Sequence, residues 1–263
     1  MNIIEVTKDN IGQEHICCAL SASADARRCA AAKKQWMLQQ FAEGYHFQKL
    51  DAQGKVFIEY TPAQNAWCPI EADGWLFIDC FWVAGQYKGQ GIANRLLQAA
   101  LLHARSQNFL GLVALTAHKK MPFLSDPGYY RHKGFVLAAT APPYYQLQAL
   151  PLAEHAPLPR FAPSVYEEGA PALHTGFVVY YTNHCPHPGK YVPLLRQAAQ
   201  RHVLSFTAVP LTGKEQAQKA PNPFPTYAMF YNGSFVTNEI FSPAKLEKFI
   251  AAGCPPTPAL PGY

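Results

Sequence analysis

The run WLFIDCFWVA, residues 75–84, constrains this chain more than any other stretch, because it continues directly into the glycine-rich turn GQYKGQG. A nearly continuous apolar and aromatic run of this length predicts a buried central strand. After the turn, apolar residues recur on one helical face, at Ile92, Leu96, Leu97, Ala100, Leu101 and Ala104. The chain therefore leaves a buried strand through two glycines and continues at once as an amphipathic helix.

A helix that begins at this turn exposes backbone N–H groups that have no partner within the helix. The helix dipole adds partial positive charge at the same end. Gly89 and Gly91 have no Cβ, so the N–H groups can approach a ligand closely, and Lys88 adds a full positive charge. This combination favours a phosphate or pyrophosphate group.

Two common phosphate-binding turns are excluded by the residues that follow. A P-loop ends in Gly-Lys-Ser/Thr, whereas Gly91 precedes Ile92 and Ala93. The dinucleotide fingerprint needs a third small residue, and Asn94 occupies that position. The pattern that remains is Gln-x-x-Gly-x-Gly, formed by Gln86, Gly89 and Gly91.

The surrounding pattern alternates between strands and helices, which predicts an α/β (α+β) fold with a mixed sheet. Residues 1–150 are predicted to form one domain. Its elements are a first strand, helices in 11–20 and 24–44, strands on both sides of Gln53-Gly54, and the strands GLVALTA and FVLAATA. Residues 151–175 contain five prolines and are predicted to be a linker or wrapping arm. Residues 176–253 form a second, small α/β domain in the order β-α-β-β-β-α, and 254–263 a tail.

Composition limits the partners of this chain. The net charge of +5 is small, and no Lys/Arg run marks a nucleic-acid surface, so the sign suits an anionic small ligand or has no specific meaning. No segment approaches the ~18 apolar residues of a membrane span, and the N-terminus lacks the pattern of a signal peptide. We therefore expect a cytoplasmic protein whose seven cysteines are mostly reduced thiols.

The strand, glycine turn and helix together resemble the acyl-CoA-binding motif of the GNAT acetyltransferase superfamily. That resemblance implies acetyl-CoA as co-substrate, with its pyrophosphate held by the turn. It implies that the cofactor-binding residues are Val83, Gln86, Lys88, Gly89, Gln90, Gly91, Ile92 and Ala93. The expected reaction is N-acetyl transfer to a small-molecule or peptide amine by direct attack.

The stretch SDPGYYRHKGF is similar to the closing motif of the same superfamily, in which a tyrosine often protonates the departing CoA thiolate. Counting back from Phe135, Tyr130 takes this role, although the adjacent Tyr129 could be the residue that faces the site. An ordinary phenol has a pKa of ~10, so it can donate a proton to a developing thiolate.

Blocks along nearly the whole chain, among them EHICCAL, KLDAQGKVFIEYTPAQNAW and PTYAMFYNGSFVTNEI, resemble the YoaP-like family, which joins a GNAT domain to a YoaP-type domain. One departure is Gln64, where that family usually has a glutamate. A base is still needed to deprotonate the amine. Glu59 is favoured over Glu71, Asp73 and Asp79, and burial of Glu59 or Asp79 in an apolar run would raise its carboxyl pKa.

The resemblance also places the helix of His15 and Cys18 beside the acceptor pocket. Cysteines in EHICC lack standard ligand spacing, so we expect packing residues and no bound metal. The same expectation applies to residues 183–187, NHCPH, because they lack a second ligand cluster.

The second domain resembles the thioredoxin fold. Cys185 matches the first cysteine of Cys-x-x-Cys, Pro188 replaces the second, and Pro225 matches the cis-proline. Exchange within one site needs two thiols. The domain is then a binding module, a single-cysteine redox or sensing site, or a degenerate structural fold. For the whole chain, a thiol-redox protein and a CoA-binding sensor remain the alternatives to an acetyltransferase.

Overall fold

The computed structural model describes residues 2–16, 23–166 and 175–255. The elements described up to residue 166 are β1 (Ile3–Val6), α1 (Ala24–Gln40), β2 (His46–Leu50), β3 (Val56–Pro62), β4 (Ile70–Glu71), β5 (Leu76–Val83), α2 (Ile92–Ser106), β6 (Gly111–Ala117), α3 (Pro127–His132), β7 (Val136–Ala141), β8 (Tyr145–Pro151) and β9 (Arg160–Phe161).

The first domain is built on a seven-stranded sheet in the order β1-β2-β3-β5-β6-β8-β7. Neighbouring strands are antiparallel except β5 and β6, which are parallel. Parallel neighbours need a crossover connection, and α2 supplies it. β5 lies at the middle of the sheet, as the apolar run predicts.

The two long helices cover opposite faces of this sheet. Helix α2 buries Leu96 and Leu97 against a face that includes Ile58 and Ile78. Helix α1 packs on the other face, where its Trp36 contacts a cluster that includes Phe57. Because neighbouring residues of a strand point to opposite faces of the sheet, Phe57 packs on the α1 side and Ile58 packs on the α2 side.

The second domain is a four-stranded sheet with helices. Its elements are β10 (Phe177–Tyr181), α4 (Pro186–Arg201), β11 (Phe206–Pro210), α5 (Lys214–Gln218), β12 (Tyr227–Tyr231), β13 (Ser234–Thr237) and α6 (Pro243–Ala251). The strand order is β11-β10-β12-β13, with only β10 and β11 parallel. The likeness to the thioredoxin fold stays a prediction.

Hydrogen bonds join the two domains at buried positions. The Tyr144 hydroxyl donates to Asn238 Oδ1 at 2.5 Å, and the Tyr145 hydroxyl donates to Asn222 Oδ1 at 3.0 Å. Helices α1 and α4 also pack closely, because a Cβ on Gly189 would lie 3.3 Å from Cys29 Sγ. The second domain is thus seated on the α1 face of the large sheet.

The proline-rich segment packs against the first domain. Ile70 in β4 pairs with Phe161 in β9, and Phe161 is buried. Trp75 Nε1 donates to the Pro157 carbonyl at 3.1 Å, and Ser164 Oγ reaches the Ala220 carbonyl of the second domain at 3.2 Å. Residues 151–166 therefore contact both domains.

The structure corrects several sequence-based expectations. Residues 11–13 form turns and residue 14 a bend, where a helix over 11–20 was predicted, and residues 17–20 lie outside the described residues. Helix α4 begins at Pro186, four residues before the start at residue 190 that the pattern KYVPLLRQAAQRH predicts, since proline suits a first helical turn. Strand β8 and helix α5 were not predicted.

The prediction for Pro225 was wrong in one respect. Among the described residues the cis peptide bond joins Pro142 to Pro143, so the bond before Pro225 is trans. Within the same residues, no helix is long and apolar enough to cross a membrane.

We expect Phe161→Ala to lower the free energy of unfolding by about 3 kcal/mol, because the truncation leaves a cavity in the core of the first domain. Leu158→Ala is the matched control in the same segment, since Leu158 is 44% exposed. Urea denaturation measures both. Equal small effects would show that the segment is only a loose linker.

Candidate active site

A cavity of about 660 Å³ lies at the middle of the large sheet, where β5 and β6 separate, and extends to the second domain. Its walls include the glycine turn, the second half of β5, the start of α3 and residues 223–226 of the second domain. Both candidate chemistries of the first domain, phosphate binding and proton transfer, therefore face one space.

The cavity exists because β5 and β6 separate. They pair only from Leu76 to Ile78 on β5, although β5 continues to Val83. On its other side, the pairing of β5 with β3 is irregular between Glu59 and Tyr60. Among the described residues, 79–83 consequently have no strand partner on the β6 side, and an extended ligand can bind to such an edge.

The glycine turn has the geometry that the sequence predicts. Gly89 and Gly91 have φ values of 76° and 73°, and no atom lies within 4 Å of a Cβ placed on either. Gly91 begins α2 without a side-chain cap, so the first N–H groups of the helix lack a side-chain acceptor. These residues thus leave room for a ligand group against the helix start.

Most of the predicted cofactor-binding residues line this cavity, namely Val83, Lys88, Gly89, Gly91, Ile92 and Ala93. Gln86 and Gln90 do not line it. The side-chain amide of Gln90 donates to the Gln86 carbonyl at 2.6 Å, which closes the turn on itself. Asn94, whose amide oxygen accepts from the Tyr129 hydroxyl at 3.3 Å, also lines the cavity.

Two tyrosines of α3 reach the cavity. Tyr130 is 1% exposed, and its buried hydroxyl lies beside the Ser125 side chain. Burial raises the pKa of Tyr130 well above its ordinary value, so the hydroxyl stays protonated. Burial also raises the pKa of Tyr129, to about 12, but its hydroxyl is already bound to Asn94.

Asp79 is the carboxylate that lines the cavity on the face opposite α2. Its Oδ2 atom is buried and has no hydrogen-bond partner in the described part of the chain. Burial raises the pKa of Asp79 well above its ordinary value, and the negative charge of Glu59 raises it further. This is the environment of a carboxylate that can accept a proton.

Glu59 has a different environment from the one that sequence analysis predicts. It is fully buried, and Lys33 Nζ lies 2.5 Å from its Oε1. The Tyr45 hydroxyl donates to Oε2 at 2.7 Å, and His184 Nε2 lies at the same distance from that atom. Because an ionised carboxylate only accepts, Nε2 must carry the proton.

Burial by itself raises the pKa of Glu59, but Lys33, His184 and their hydrogen bonds outweigh burial and lower it to about 2. The expectation of a raised pKa for Glu59 was therefore wrong. A carboxylate with so low a pKa and three donors is a poor base, so its geometry supports a positioning role.

The second domain forms one wall of the cavity through His184, Pro223, Phe224, Pro225 and Thr226. His184 Nδ1 lies 3.3 Å from Thr226 Oγ1, so the imidazole is held from both sides. Cys185 occupies the N-cap position of α4 without a side-chain capping hydrogen bond, and it does not line the cavity.

Other predicted residues lie elsewhere. His15 Nε2 contacts the Gly54 carbonyl at 2.9 Å, in a small surface pocket separate from the cavity. Cys18 lies outside the described residues. In the ranges that the structure covers, no group of three His, Cys, Asp or Glu side chains could hold a metal ion.

Sequence reasoning missed Lys33, Trp67 and Phe224 as parts of the site. Lys33 gave one available signal, since it is a cation on the apolar face of α1 beside Trp36 and Met37. Trp67 and Phe224 lie in irregular segments, where no periodicity assigns a face.

Comparison with known proteins finds family matches in both domains. The model of the acetyltransferase (GNAT) family matches residues 19–135, and the YoaP-like model matches residues 205–248. The uncharacterized N-acetyltransferase YoaP of Bacillus subtilis (strain 168) is 39% identical over 250 residues, which cover 95% of this chain and 98% of that one.

Two solved structures resemble the chain more distantly. A GNAT family acetyltransferase from Brucella melitensis, in complex with acetyl-CoA, is 17% identical with a TM-score of 0.37, over 60% of this chain and 91% of its own. The N-acetyltransferase YhbS of Escherichia coli, in complex with CoA, is also 17% identical, with a TM-score of 0.38, over 61% and 88%.

The family match and the domain built on the splayed sheet define an acetyltransferase of the GNAT class. Since the identity to YoaP extends over almost the full length of both chains, this chain belongs to the YoaP-like family of GNAT N-acetyltransferases.

The Glu59 network makes a prediction about acid stability. The pKa of Glu59 is lowered from 4.5 in the unfolded chain to about 2 in the folded protein. The stability that this shift contributes is complete above about pH 5 and is lost as the pH falls toward 2, in total about 3 kcal/mol. In the double variant Lys33→Met/Glu59→Gln, the free energy of unfolding should not show this fall between pH 5 and 2.

Urea denaturation between pH 2.5 and 6 measures the difference. The matched control is Arg160→Met/Glu71→Gln, which removes an exposed ion pair with a 3.0 Å contact. The control should keep the steep acid dependence of the parent protein, because exposed pairs contribute little. If the free energy of unfolding of Lys33→Met/Glu59→Gln depends on pH as steeply as that of the parent protein, Glu59 is not the group responsible for the loss of stability in acid.

Proposed function

We propose that this chain transfers the acetyl group of acetyl-CoA to an amine by direct attack on the thioester. The observation that carries the proposal is the single cavity that connects the glycine turn, Tyr130 and Asp79 through the gap between β5 and β6. In this arrangement a cofactor enters from the α2 end, and an acceptor meets it from the side of the second domain.

The turn at 88–93 is proposed to bind the pyrophosphate of CoA. Lys88 supplies a full positive charge, and the start of α2 supplies backbone N–H groups and the positive end of the helix dipole. The unpaired edge of β5 between Asp79 and Val83 then faces the extended arm that carries the thioester. The acetyl group is thereby delivered to the gap in the sheet.

Asp79 is proposed as the general base in place of Glu59. The amine nitrogen must lose a proton as its bond to the acetyl carbon forms, and Asp79 Oδ2 is the buried carboxylate atom in the cavity with no hydrogen bond from a described residue. Its raised pKa makes it a better proton acceptor than an ordinary aspartate. Activity should therefore rise with pH as Asp79 ionises.

Tyr130 is proposed as the general acid. When the carbon–sulfur bond breaks, the electron pair stays on sulfur, and the CoA thiolate takes the hydroxyl proton of Tyr130. Its high pKa keeps that proton available at neutral pH, and both Tyr130 and the adjacent Ser125 line the cavity. Tyr129 is the weaker candidate because its hydroxyl is bound to Asn94.

Gly89→Glu is expected to weaken acetyl-CoA binding by about 30-fold, roughly 2 kcal/mol, because it places a carboxylate where the pyrophosphate binds. Gly85→Glu is the matched control. Gly85 also has a positive φ, 58°, and open space around it, but it does not line the cavity. Titration calorimetry measures the affinity of both variants for acetyl-CoA. An equal loss of affinity in the two would show that strain in the loop, and not the added carboxylate, weakens binding.

Tyr130→Phe is expected to lower kcat by about 100-fold while the affinity for acetyl-CoA is kept, because only the proton donor is removed. Tyr129→Phe should change kcat little. Release of free CoA thiol, followed with a thiol reagent, measures turnover. A larger loss in Tyr129→Phe than in Tyr130→Phe would assign the proton donor to Tyr129.

A further inference from the structure

The acceptor end of the cavity holds very few charges. Among the described lining residues, the Asp, Glu, Lys and Arg side chains are Asp79, Lys88, Lys120 and Asp126. Lys88 belongs to the glycine turn, and Lys120 is exposed in the loop after β6. Asp126 caps α3 by accepting from Gly128 N at 2.9 Å. Asp79 is therefore the charge that meets an acceptor at the inner end.

Apolar and aromatic side chains surround that carboxylate. Trp67 and Phe77 come from the first domain, and Phe224 comes from the second. Cys68 closes the contact between them, because its thiol donates to the Pro223 carbonyl at 3.3 Å. Aromatic faces beside a carboxylate attract a cation with an apolar body.

Among the described lining residues, the same walls offer no buried lysine or arginine to an anion, since Lys88 belongs to the glycine turn and Lys120 is exposed. Lys33 is buried, but it contacts Glu59 and does not line the cavity. His184 has both ring nitrogens engaged, by Glu59 and by Thr226. An acceptor that carries a carboxylate or phosphate would bury an unpaired charge here, which is strongly unfavourable.

We propose that the acceptor is a monocationic primary amine on an aromatic or similarly apolar body without an anionic group. Its ammonium group lies on Asp79, and its body lies between Trp67 and Phe224, so the pocket is complete only with the second domain in place. The inference rests on the proposed acetyl transfer, because only that reaction makes the bound amine an acceptor. Binding of the amine can still be measured separately from turnover.

The test compares four ligands of related size or charge. 2-Phenylethylamine has one cation, phenylalanine adds a carboxylate, 2-phenylethanol lacks the cation, and spermidine has several cations without an aromatic body. Binding to the full-length protein in the presence of CoA is measured by calorimetry, and acetylation is measured with acetyl-CoA. We expect 2-phenylethylamine to bind at least about 30-fold more tightly than each of the other three.

Two variants assign the effect to the named residues. Asp79→Asn keeps the shape of the side chain and should weaken 2-phenylethylamine about 30-fold, while 2-phenylethanol and acetyl-CoA keep their affinities. Phe224→Leu should weaken the amine about threefold to tenfold. Its control is Phe235→Leu, a second-domain phenylalanine that packs against the first domain but does not line the cavity.

The outcomes separate this inference from the proposed function. If phenylalanine or spermidine is the better ligand and is acetylated, the inference is overturned and the acetyltransferase proposal stands. If 2-phenylethylamine binds through Asp79 but is never acetylated, the inference stands and the proposed reaction fails. If neither Asp79→Asn nor Phe224→Leu changes amine binding, the assigned pocket is wrong.

Discussion

The buried carboxylate of Glu59 is the interaction on which the two-domain arrangement depends. Glu59 lies on β3 and accepts hydrogen bonds from Lys33 of α1 and from Tyr45 in the segment before β2. It also accepts a hydrogen bond from His184 of the second domain. A fully buried charge is tolerated only when it is paired and hydrogen-bonded. Removing any one donor would therefore disturb both the first domain and its contact with the second.

Two carboxylates on neighbouring strands have opposite properties because their partners differ. Glu59 and Asp79 lie near the irregular pairing of β3 with β5. Lys33 and His184 hold the pKa of Glu59 low, whereas burial and the charge of Glu59 raise the pKa of Asp79. The paired carboxylate joins α1, β3 and the second domain, and Asp79, which keeps an oxygen without a described partner, is the one that we propose for proton transfer.

Local sequence patterns predicted the elements that have a strong periodicity or a distinctive turn. The strand before Ala84, the glycine turn and the start of α2 follow from local chemistry, since an apolar run and an apolar helical stripe on either side of glycines are strong local signals. Strand β8 was missed although QLQAL alternates, because the preceding Tyr144 and the two prolines at 142–143 obscured its start. The direction of the pKa shift of Glu59 was misjudged because a single apolar run does not show which partners surround a carboxylate.

The sequence alone therefore determined the glycine turn and the tyrosine pair of α3, because each is encoded within a dozen consecutive residues. It also indicated the class of the protein, through blocks along nearly the whole chain. Only the tertiary structure decided which carboxylate keeps an unbonded oxygen and which residues of the second domain reach the site. Glu59 and His184 are 125 positions apart in the chain, and their contact is 2.7 Å. No local pattern specifies such a pair, since its energy comes from burial and mutual neutralisation that exist only after both domains have folded together.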